Sequence, residues 1–384
     1  MIKSQKVAVI GAGIVGLSHA WSAAKRGNSV TVYERTSKAY GASIRNFGMV
    51  WPIGLPHGKL YQTALESRNL WLELQKKAGI WVNTCGSLHL AHEQDEWEVL
   101  QEFASLAPKL GYECNLINKS EIIKKSQSIN TKNLLGALWS PTELCLDSPN
   151  AINIIPIWLE QTYGVKFFFD STITKVKHPN LTLSNGEIKS FDHIFVCTGH
   201  DFQTLFPSVF QSSGIKQCKL QMIKIGPQPK EWHLGPHLAG GLTIRHYKNF
   251  QACKSQIKVK ERYANNSPKY DDYGIHVMAS QNQSGDIITG DSHDYDEPND
   301  PFNNEEIDSL ILQELKKMVS LPNNDIKNRW LGIYAKHQDL IQFINNPEQG
   351  VTIINSTSGL GMTLSFGLAE AYWRGDIITK NKED

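Results

Sequence analysis

The chain has 384 residues, of which 40% are hydrophobic and 20% charged, so it is long enough for two domains with sizeable cores. Its formal net charge of +1 gives no electrostatic basis for binding nucleic acid or an anionic membrane surface. It contains no apolar run of the roughly 18 residues that a membrane-spanning helix needs, and the first predicted strand begins so early that we expect no signal peptide.

The first predicted elements are a strand, a glycine-rich turn, a helix and a second strand. Residues 7–10 are a short apolar run typical of a buried parallel strand, and a helix and a strand are predicted over 17–26 and 29–33. The sequence GAGIVG stands at residues 11–16. Gly11 permits a tight turn, Gly13 lets the backbone approach a pyrophosphate, and Gly16 lets the helix pack closely on the strand.

Glu34 ends the second predicted strand, 18 residues after Gly16, where a carboxylate can accept hydrogen bonds from ribose hydroxyls. The free N–H groups at the start of the helix favour phosphate binding. Together these features predict a dinucleotide-binding site. Because a carboxylate disfavours a 2′-phosphate, the expected ligand is FAD or NAD rather than NADP.

The remaining predicted elements alternate along the chain. A loop of small residues covers 40–49, and the strand at 191–197 ends on a sharp turn at Thr198-Gly199. Helices are predicted at 60–78, 93–110, 119–127, 150–163, 304–319 and 364–375, and a polar loop at 254–272. Strands are predicted at 81–91, 165–169, 171–177, 181–183, 191–197, 216–226, 242–250, 274–280, 286–290 and 351–355, and a strand with a turn at 134–147.

This order predicts an α/β fold in which a Rossmann-like nucleotide-binding domain is interrupted twice by an α+β substrate domain built on a mainly antiparallel sheet. The nucleotide-binding domain is expected to consist of 1–50, 148–215 and 328–384. The substrate-binding domain is expected to consist of 51–147 and 216–327.

The cysteines and histidines form no local metal or redox motif. The six cysteines include no CxxC pair, which favours a reducing compartment, and we expect a cytoplasmic protein without a redox-active disulfide or structural zinc. The 13 histidines include no HxH, HExxH or histidine–carboxylate group at ligand spacing, so no metal site is predicted.

Four segments, in this order, resemble the D-amino acid oxidase, glycine oxidase and sarcosine oxidase superfamily of FAD-dependent amine oxidoreductases. They are GAGIVG with Glu34-Arg35, GASIRNFG at 41–48, the strand ending in CTG at 197–199, and GLGMTLS at 359–365. The resemblance covers essentially the whole chain. Five segments, GASIRNFGMVWPIG, CKLQMI, GGLTIRHY, GDSHDY and RWLGIYAKH, further resemble a bacterial branch associated with the breakdown of aminophosphonates related to 2-aminoethylphosphonate.

The resemblance implies FAD as the cofactor, with the pyrophosphate at the first helix and Glu34 on the adenosine ribose. Ser43, Arg45 and Asn46 are then expected beside the flavin ring. No cysteine follows Cys253 to form a late cysteinyl link, so FAD is expected to be held non-covalently, although a histidyl link is left open. The implied FAD-binding residues are Gly11, Ala12, Gly13, Ile14, Gly16, Glu34, Arg35, Ala42, Ser43, Arg45, Asn46, Phe47, Gly48, Ile173, Thr198, Gly199, Gly359, Leu360, Gly361, Met362 and Thr363.

The implied reaction is oxidative deamination or N-dealkylation of a small amine with an anionic head group, either an aminophosphonate or an amino acid. Hydride passes to flavin N5, and molecular oxygen then reoxidises the flavin and gives peroxide. No protein acid or base is obligatory, so no catalytic residue is assigned. The alternatives are an amine dehydrogenase that passes electrons to a quinone or a carrier protein, a flavin hydroxylase, and a non-catalytic flavin-binding module. The oligomeric state is left open.

Substrate anchoring departs from the family pattern. Many relatives place an arginine in a GLRP-like segment, where it pairs with the substrate carboxylate, whereas this chain has Gly332-Ile333-Tyr334-Ala335. We expect Arg245, on a predicted strand, to supply the cation, because arginine suits a carboxylate or a phosphonate; an interdomain or surface ion pair is the alternative. The other expected substrate-binding residues are Tyr334, Trp51, Met49 and Lys336, with Lys219 as a further candidate.

One further segment resembles a known cofactor contact. Thr289-Gly290-Asp291-Ser292-His293 is similar to the GD motif that contacts the FAD ribitol in aromatic hydroxylases. An acidic loop follows it, instead of a helix that could face a cofactor. We therefore expect no functional role for this segment.

Overall fold

The computed structural model of the protein describes residues 4–295 and 300–380. Its helices are α1 (Ile14–Lys25), α2 (Lys59–Ala78), α3 (Gln94–Leu110), α4 (Lys119–Lys125), α5 (Ser148–Tyr163), α6 (Pro207–Ser212), α7 (Gly241–His246), α8 (Gln256–Asn266), α9 (Lys269–Asp272), α10 (Glu305–Met318) and α11 (Gly361–Trp373). Short 3-10 helices cover Ala42–Ile44, Pro52–Gly54 and Lys248–Ala252.

The strands are β1 (Lys6–Ile10), β2 (Ser29–Tyr33), β3 (Met49–Val50), β4 (Val82–Asn83), β5 (Ser87–Ala91), β6 (Asn115–Ile117), β7 (Gly136–Ser140), β8 (Leu144–Leu146), β9 (Lys166–Phe168), β10 (Ile173–Lys177), β11 (Asn180–Leu183), β12 (Ile188–Ser190), β13 (His193–Val196), β14 (Lys216–Ile225), β15 (His237–Ala239), β16 (Met278–Gln281), β17 (Ile287–Gly290), β18 (Ile326–Lys336), β19 (Gln342–Glu348) and β20 (Val351–Ser356). Within the described residues, no helix is both long and apolar enough to cross a membrane.

Strand β1 lies inside a six-stranded sheet with the order β19-β20-β13-β1-β2-β9. Neighbouring strands pair in parallel except at β19–β20, which pair antiparallel. Val7, Ala8 and Val9 are fully buried, as expected for a parallel strand covered on both faces. Helix α1 packs against β2 and α11. The predicted strand–turn–helix–strand unit at the start of the chain is confirmed.

The second sheet has eight strands in the order β18-β14-β17-β16-β15-β5-β7-β6. Neighbouring strands are antiparallel except β15 and β5, so the prediction of a mainly antiparallel sheet is confirmed. Helices α3, α7 and α10 pack on this sheet and bury a large apolar cluster with it. Two three-stranded sheets, β10-β11-β12 and β3-β8-β4, complete the described strands.

Strand β18 crosses the predicted boundary between the two domains. It pairs with β14 from Lys216↔Lys336 to Ile225↔Ile326, so residues 328–336 belong to the eight-stranded sheet and not to the nucleotide-binding sheet. The strands of the six-stranded sheet all fall within the ranges assigned to the nucleotide-binding domain. The domain division itself stays a prediction.

Two predicted local structures are wrong. The segment 242–250 forms α7 and a 3-10 helix instead of a strand, because tertiary packing, which buries Leu242 and Ile244 in the short helix, overrides the strand preference of its β-branched and aromatic residues. The polar segment 254–272 forms α8 and α9 instead of a loop, and Val259 and Tyr263, four residues apart, give α8 one buried face.

Candidate active site

A cavity of about 590 Å³ is lined by residues from both large sheets. The turns that follow β1, β2, β13 and β20 contribute to its wall, as do β14 and β18. Carboxyl ends of parallel strands meet at one edge of a sheet, where nucleotide ligands bind in open α/β folds. Leu220 and Met222 on β14 give the wall an apolar patch together with Phe47.

The glycine-rich turn after β1 has no room for side chains. Gly11 has a φ of +107°, and a Cβ there would lie 2.3 Å from the carbonyl oxygen of Cys197. A Cβ on Gly16 would lie 1.9 Å from the carbonyl oxygen of Gly11. Gly16 therefore packs the helix and does not line the cavity. Gly13 precedes α1 and has no side chain to cap it, and no acidic residue stands in the first turn, so the positive helix end favours a phosphate at the cavity.

Glu34 and Ser43 both reach the start of α1. Glu34 Oε2 accepts a hydrogen bond from the Ala12 N–H at 3.0 Å, and Ser43 Oγ accepts one from the Ile14 N–H at 2.9 Å. Ala12 is buried and does not line the cavity, so it contributes only through its backbone. Ser43, which was expected beside the flavin ring, lies instead at the position where a pyrophosphate is expected.

Within the loop at 41–48, Ala42, Arg45, Asn46 and Phe47 line the cavity. Asn46 also organises the loop, because its side chain donates to the Ser43 carbonyl oxygen at 2.9 Å and accepts from the Gly48 N–H at 2.8 Å. Gly48 does not line the cavity. Its φ is +73°, and a Cβ there would meet the Leu146 carbonyl oxygen at 2.2 Å. Gly48 therefore shapes the loop.

The second glycine-rich turn leads into α11. Gly359, Leu360, Gly361 and Met362 line the cavity, and the helix begins without a side-chain cap or an acidic residue in its first turn. Thr363 does not line it, because its hydroxyl is buried and accepts the Trp51 N–H at 2.9 Å. Two helix starts without an acidic residue in the first turn thus meet one cavity, which fits the pyrophosphate and the electron-rich N1–C2=O edge of FAD.

The other residues expected near FAD lie at the same cavity. Ile173, Thr198 and Gly199 all line it. Arg35 lines it as well, but its side chain is half exposed and Nη1 donates to Asp201 Oδ2 at 2.7 Å. We therefore expect Arg35 to position the loop at 199–204 as much as to touch a ligand.

Arg245 does not line the cavity, so its expected role as the substrate cation is wrong. It stands on helix α7, where its guanidinium pairs with Asp271, donates to the Ile275 carbonyl oxygen at 3.1 Å, and lies over the Tyr263 ring. The alternative that the sequence left open for Arg245, an ion pair, is the one that the structure shows. Lys219 also lies outside the cavity lining and pairs with Asp294 at 3.1 Å.

Met49 and Trp51, which were expected to wall the substrate pocket, are core residues instead. Met49 pairs with Cys145 across β3 and β8 and is 7% exposed. Trp51 is 1% exposed and packs against His89 and His237. Neither residue lines the cavity, because the chain turns into the core directly after the loop at 41–48.

Tyr334 and Lys336 do line the cavity. They are two residues apart on β18, so their side chains point to the same side of the sheet. Burial raises the pKa of Tyr334 well above its ordinary value and lowers the pKa of Lys336. No carboxylate of the described residues forms an ion pair with Lys336. Tyr334 therefore presents a neutral phenol, and Lys336 presents an amine that no described carboxylate pairs with.

Three histidines that the sequence left unassigned come together at the cavity. His246 ends α7, His276 precedes β16 and His293 follows β17, and one ring nitrogen of each lies within 4.8 Å of the other two. Asp291, from the segment to which we assigned no role, lines the cavity beside them. The sequence analysis did not find this group because it considered only residues close in sequence, and the expectation of no metal site stays a prediction. Of this group, Asp291 and His293 alone stand close in sequence, in GDSH at 290–293.

Comparisons with known proteins agree with this geometry. The model of the DAO family, described as FAD dependent oxidoreductase, matches residues 6–372. The fold is similar to glycine oxidase from Bacillus cereus ATCC 14579, with 17% identity, a TM-score of 0.75, and 97% of this chain and 95% of that chain covered. It is also similar to L-proline dehydrogenase from P. horikoshii, with 20% identity, a TM-score of 0.73, and 98% and 95% covered.

A third similar structure is the dithionite-reduced L-alpha-glycerophosphate oxidase from Mycoplasma pneumoniae with FAD bound. Its identity to this chain is 16%, its TM-score is 0.71, and the match covers 100% of this chain and 97% of that one. At these identities the structural likeness shows the fold, whereas the family match spans nearly the whole chain. This protein belongs to the DAO family of FAD-dependent oxidoreductases, and its cofactor is FAD.

Proposed function

We propose that the protein oxidises a small amine that carries an anionic head group, either a carboxylate or a phosphonate. The product is an imine that water hydrolyses, which gives oxidative deamination or N-dealkylation. FAD, when bound, supplies the acceptor for the electron pair of the substrate C–H bond. The observation that carries the proposal is Lys336, an amine in the cavity wall without an ion-pair partner among the described carboxylates.

Lys336 is suited to hold an anion. A half-buried amine without a counter-ion gains most from an anionic ligand, because charge-assisted hydrogen bonds are stronger away from bulk water. Tyr334 stands on the same side of β18 and can donate its phenolic O–H to the same ligand. The two residues together replace the arginine that many relatives carry at this strand.

The chemistry of the site admits either anion. Lysine is a point charge with three donors, so it does not require the planar geometry that arginine matches in carboxylates. The similar folds include a glycine oxidase and a glycerophosphate oxidase, whose named substrates carry a carboxylate and a phosphate. The five segments that resemble the aminophosphonate branch favour a phosphonate.

Replacing Lys336 with methionine is expected to lower kcat/KM for the anionic amine by about 10- to 100-fold, because one charge-assisted interaction of about 1.5–3 kcal/mol is lost. Steady-state oxidation assays on FAD-loaded protein measure this. Lys166→Met on the exposed edge strand β9 is the matched control and should leave kcat/KM unchanged. If Lys336→Met retains the parental kcat/KM at equal FAD content, Lys336 does not anchor the substrate.

The electron acceptor is proposed to be molecular oxygen. A dehydrogenase that uses a quinone or a carrier protein is the second candidate, favoured by the similarity to a fold named L-proline dehydrogenase. Admitting air to substrate-reduced protein distinguishes the two. Rapid return of the yellow colour with peroxide formation supports an oxidase, whereas slow return that a quinone accelerates supports a dehydrogenase.

A further inference from the structure

We propose that His246, His276 and His293 form a binding site for a divalent transition-metal ion, of which zinc is the best match. One ring nitrogen of each lies within 4.8 Å of the other two, although the residues come from three separate segments. Imidazole nitrogen is a preferred ligand of zinc, and three protein ligands with an open fourth position are typical of reactive zinc sites. All three histidines line the cavity, so the open position faces it.

The hydrogen bonds around the cluster leave ring nitrogens free for an ion. His293 Nδ1 lies 2.9 Å from the Gly274 carbonyl oxygen, which can only accept, so Nδ1 carries the proton and Nε2 keeps its lone pair. His276 Nδ1 lies 3.0 Å from Asp291 Oδ1, close enough to pair although not aligned as an ordinary hydrogen bond. Histidines that bind metals usually pair their other nitrogen with a carbonyl or a carboxylate in this way.

The backbone holds two of the three ligands in place. His276 and Asp291 exchange backbone hydrogen bonds of 3.1 and 2.7 Å, which continue the pairing of β16 and β17. The His293 N–H donates to the Tyr273 carbonyl oxygen at 3.0 Å. His246 is exposed to the cavity at the end of a short helix. The backbone thus fixes His276 and His293, whereas the side chain of His246 is free to adjust its position.

The adjustment required is small. Ligand atoms about 2.0 Å from a tetrahedral zinc ion are about 3.3 Å apart. The nitrogens here lie within 4.8 Å of one another, so side-chain rotations that move the nitrogens by about an ångström would bring them to bonding distance from one ion. The buried carboxylate of Asp291 supplies negative charge beside the site, which favours a metal ion. Lys336 acts electrostatically on His246 and His293, and its positive charge disfavours the binding of a metal ion there.

Calorimetric titration of chelator-treated, FAD-loaded protein with zinc chloride tests the proposal. We expect one zinc ion per chain. His246→Ala and His293→Ala should weaken binding by roughly 100-fold or more, and Asp291→Asn by about 10- to 100-fold. Lys336→Met should strengthen it, because a repelling charge is removed. His200→Ala, which changes a histidine of the same cavity outside the cluster, is the matched control and should bind zinc as the parent does.

His246→Ala is the decisive variant because its side chain is open to the cavity and its loss leaves the core intact; FAD content and thermal unfolding check the fold of every variant. Absence of saturable binding at one ion per chain would overturn the proposal. So would unchanged zinc affinity in both His246→Ala and His293→Ala. Zinc binding is measured without an amine, so the two tests are independent. A chain that binds no zinc could still oxidise amines, and a chain that oxidises no amine could still bind zinc.

Discussion

Replacing Gly11 with alanine is expected to give a chain that folds poorly and carries little FAD. The new methyl group would meet the Cys197 carbonyl oxygen at 2.3 Å, and the φ of +107° is strained for any residue with a Cβ. Strands β1 and β13 cannot move apart easily to make room, because they are paired in register from Val7↔His193 to Ile10↔Val196. Overpacking and backbone strain together should cost about 3 kcal/mol or more.

The flavin-to-protein absorbance ratio after purification and the midpoint of urea unfolding measure this effect. Gly226→Ala is the matched control, since a Cβ there comes no closer than 3.3 Å to the end of the Asn323 side chain and 3.5 Å to the Asp325 carbonyl oxygen, and the position lies outside the cavity. Parental FAD content and stability in Gly11→Ala would show that the turn after β1 is not the tightly packed cofactor cradle described above.

Acidification from about pH 7 to about pH 5 is expected to destabilise the protein by about 6 kcal/mol through three buried histidines. Burial lowers the pKa of His19 and His89 to about 3 and that of His237 to about 4. Below about pH 6.5 these histidines are protonated in the unfolded chain but stay neutral in the folded chain. The free energy of unfolding therefore falls as the pH drops towards the folded pKa values. Each histidine contributes about 2 kcal/mol of this loss at about pH 5.

Urea unfolding at several pH values measures the slope, and His89→Leu isolates one contribution. His89 is fully buried, and neither of its ring nitrogens has a hydrogen-bond partner among the described residues, so leucine should keep the stability near pH 7. The variant should lose about 2 kcal/mol less than the parent on acidification. His57→Leu, at an exposed histidine, is the control. An identical pH slope in His89→Leu and the parent would contradict the prediction.

The nucleotide-binding part of the fold could be predicted because its signals are local. Gly11, Gly13 and Gly16 stand at fixed spacing within one strand–turn–helix segment, and the sequence order places Glu34 at the end of the next strand. Polar groups whose partners are distant in the chain were harder to predict. Ser43 caps the start of α1 from another segment, and nothing in its own loop indicates this contact.

The substrate side could not be predicted in the same way. Arg245 lies in a β-branched, aromatic segment that favours a strand, but tertiary packing buries Leu242 and Ile244 within a short helix and turns the arginine towards Asp271. The histidines at 246 and 293 become neighbours only in the folded protein, where the end of α7 lies beside the segment that follows β17. Spacing rules for metal ligands therefore had no signal to find.

Anaerobic titration of the FAD-loaded protein, followed by flavin absorbance, tests the proposed function most directly. The substrates would be glycine, sarcosine, D-amino acids, 2-aminoethylphosphonate and its N-methyl derivative, with ethylamine as the matched amine that lacks an anionic group. We expect bleaching by an amine that carries a carboxylate or a phosphonate, and none by ethylamine. Bleaching by NAD(P)H alone, as in a flavin hydroxylase, or no bleaching by any amine of the set would contradict the proposed amine oxidation.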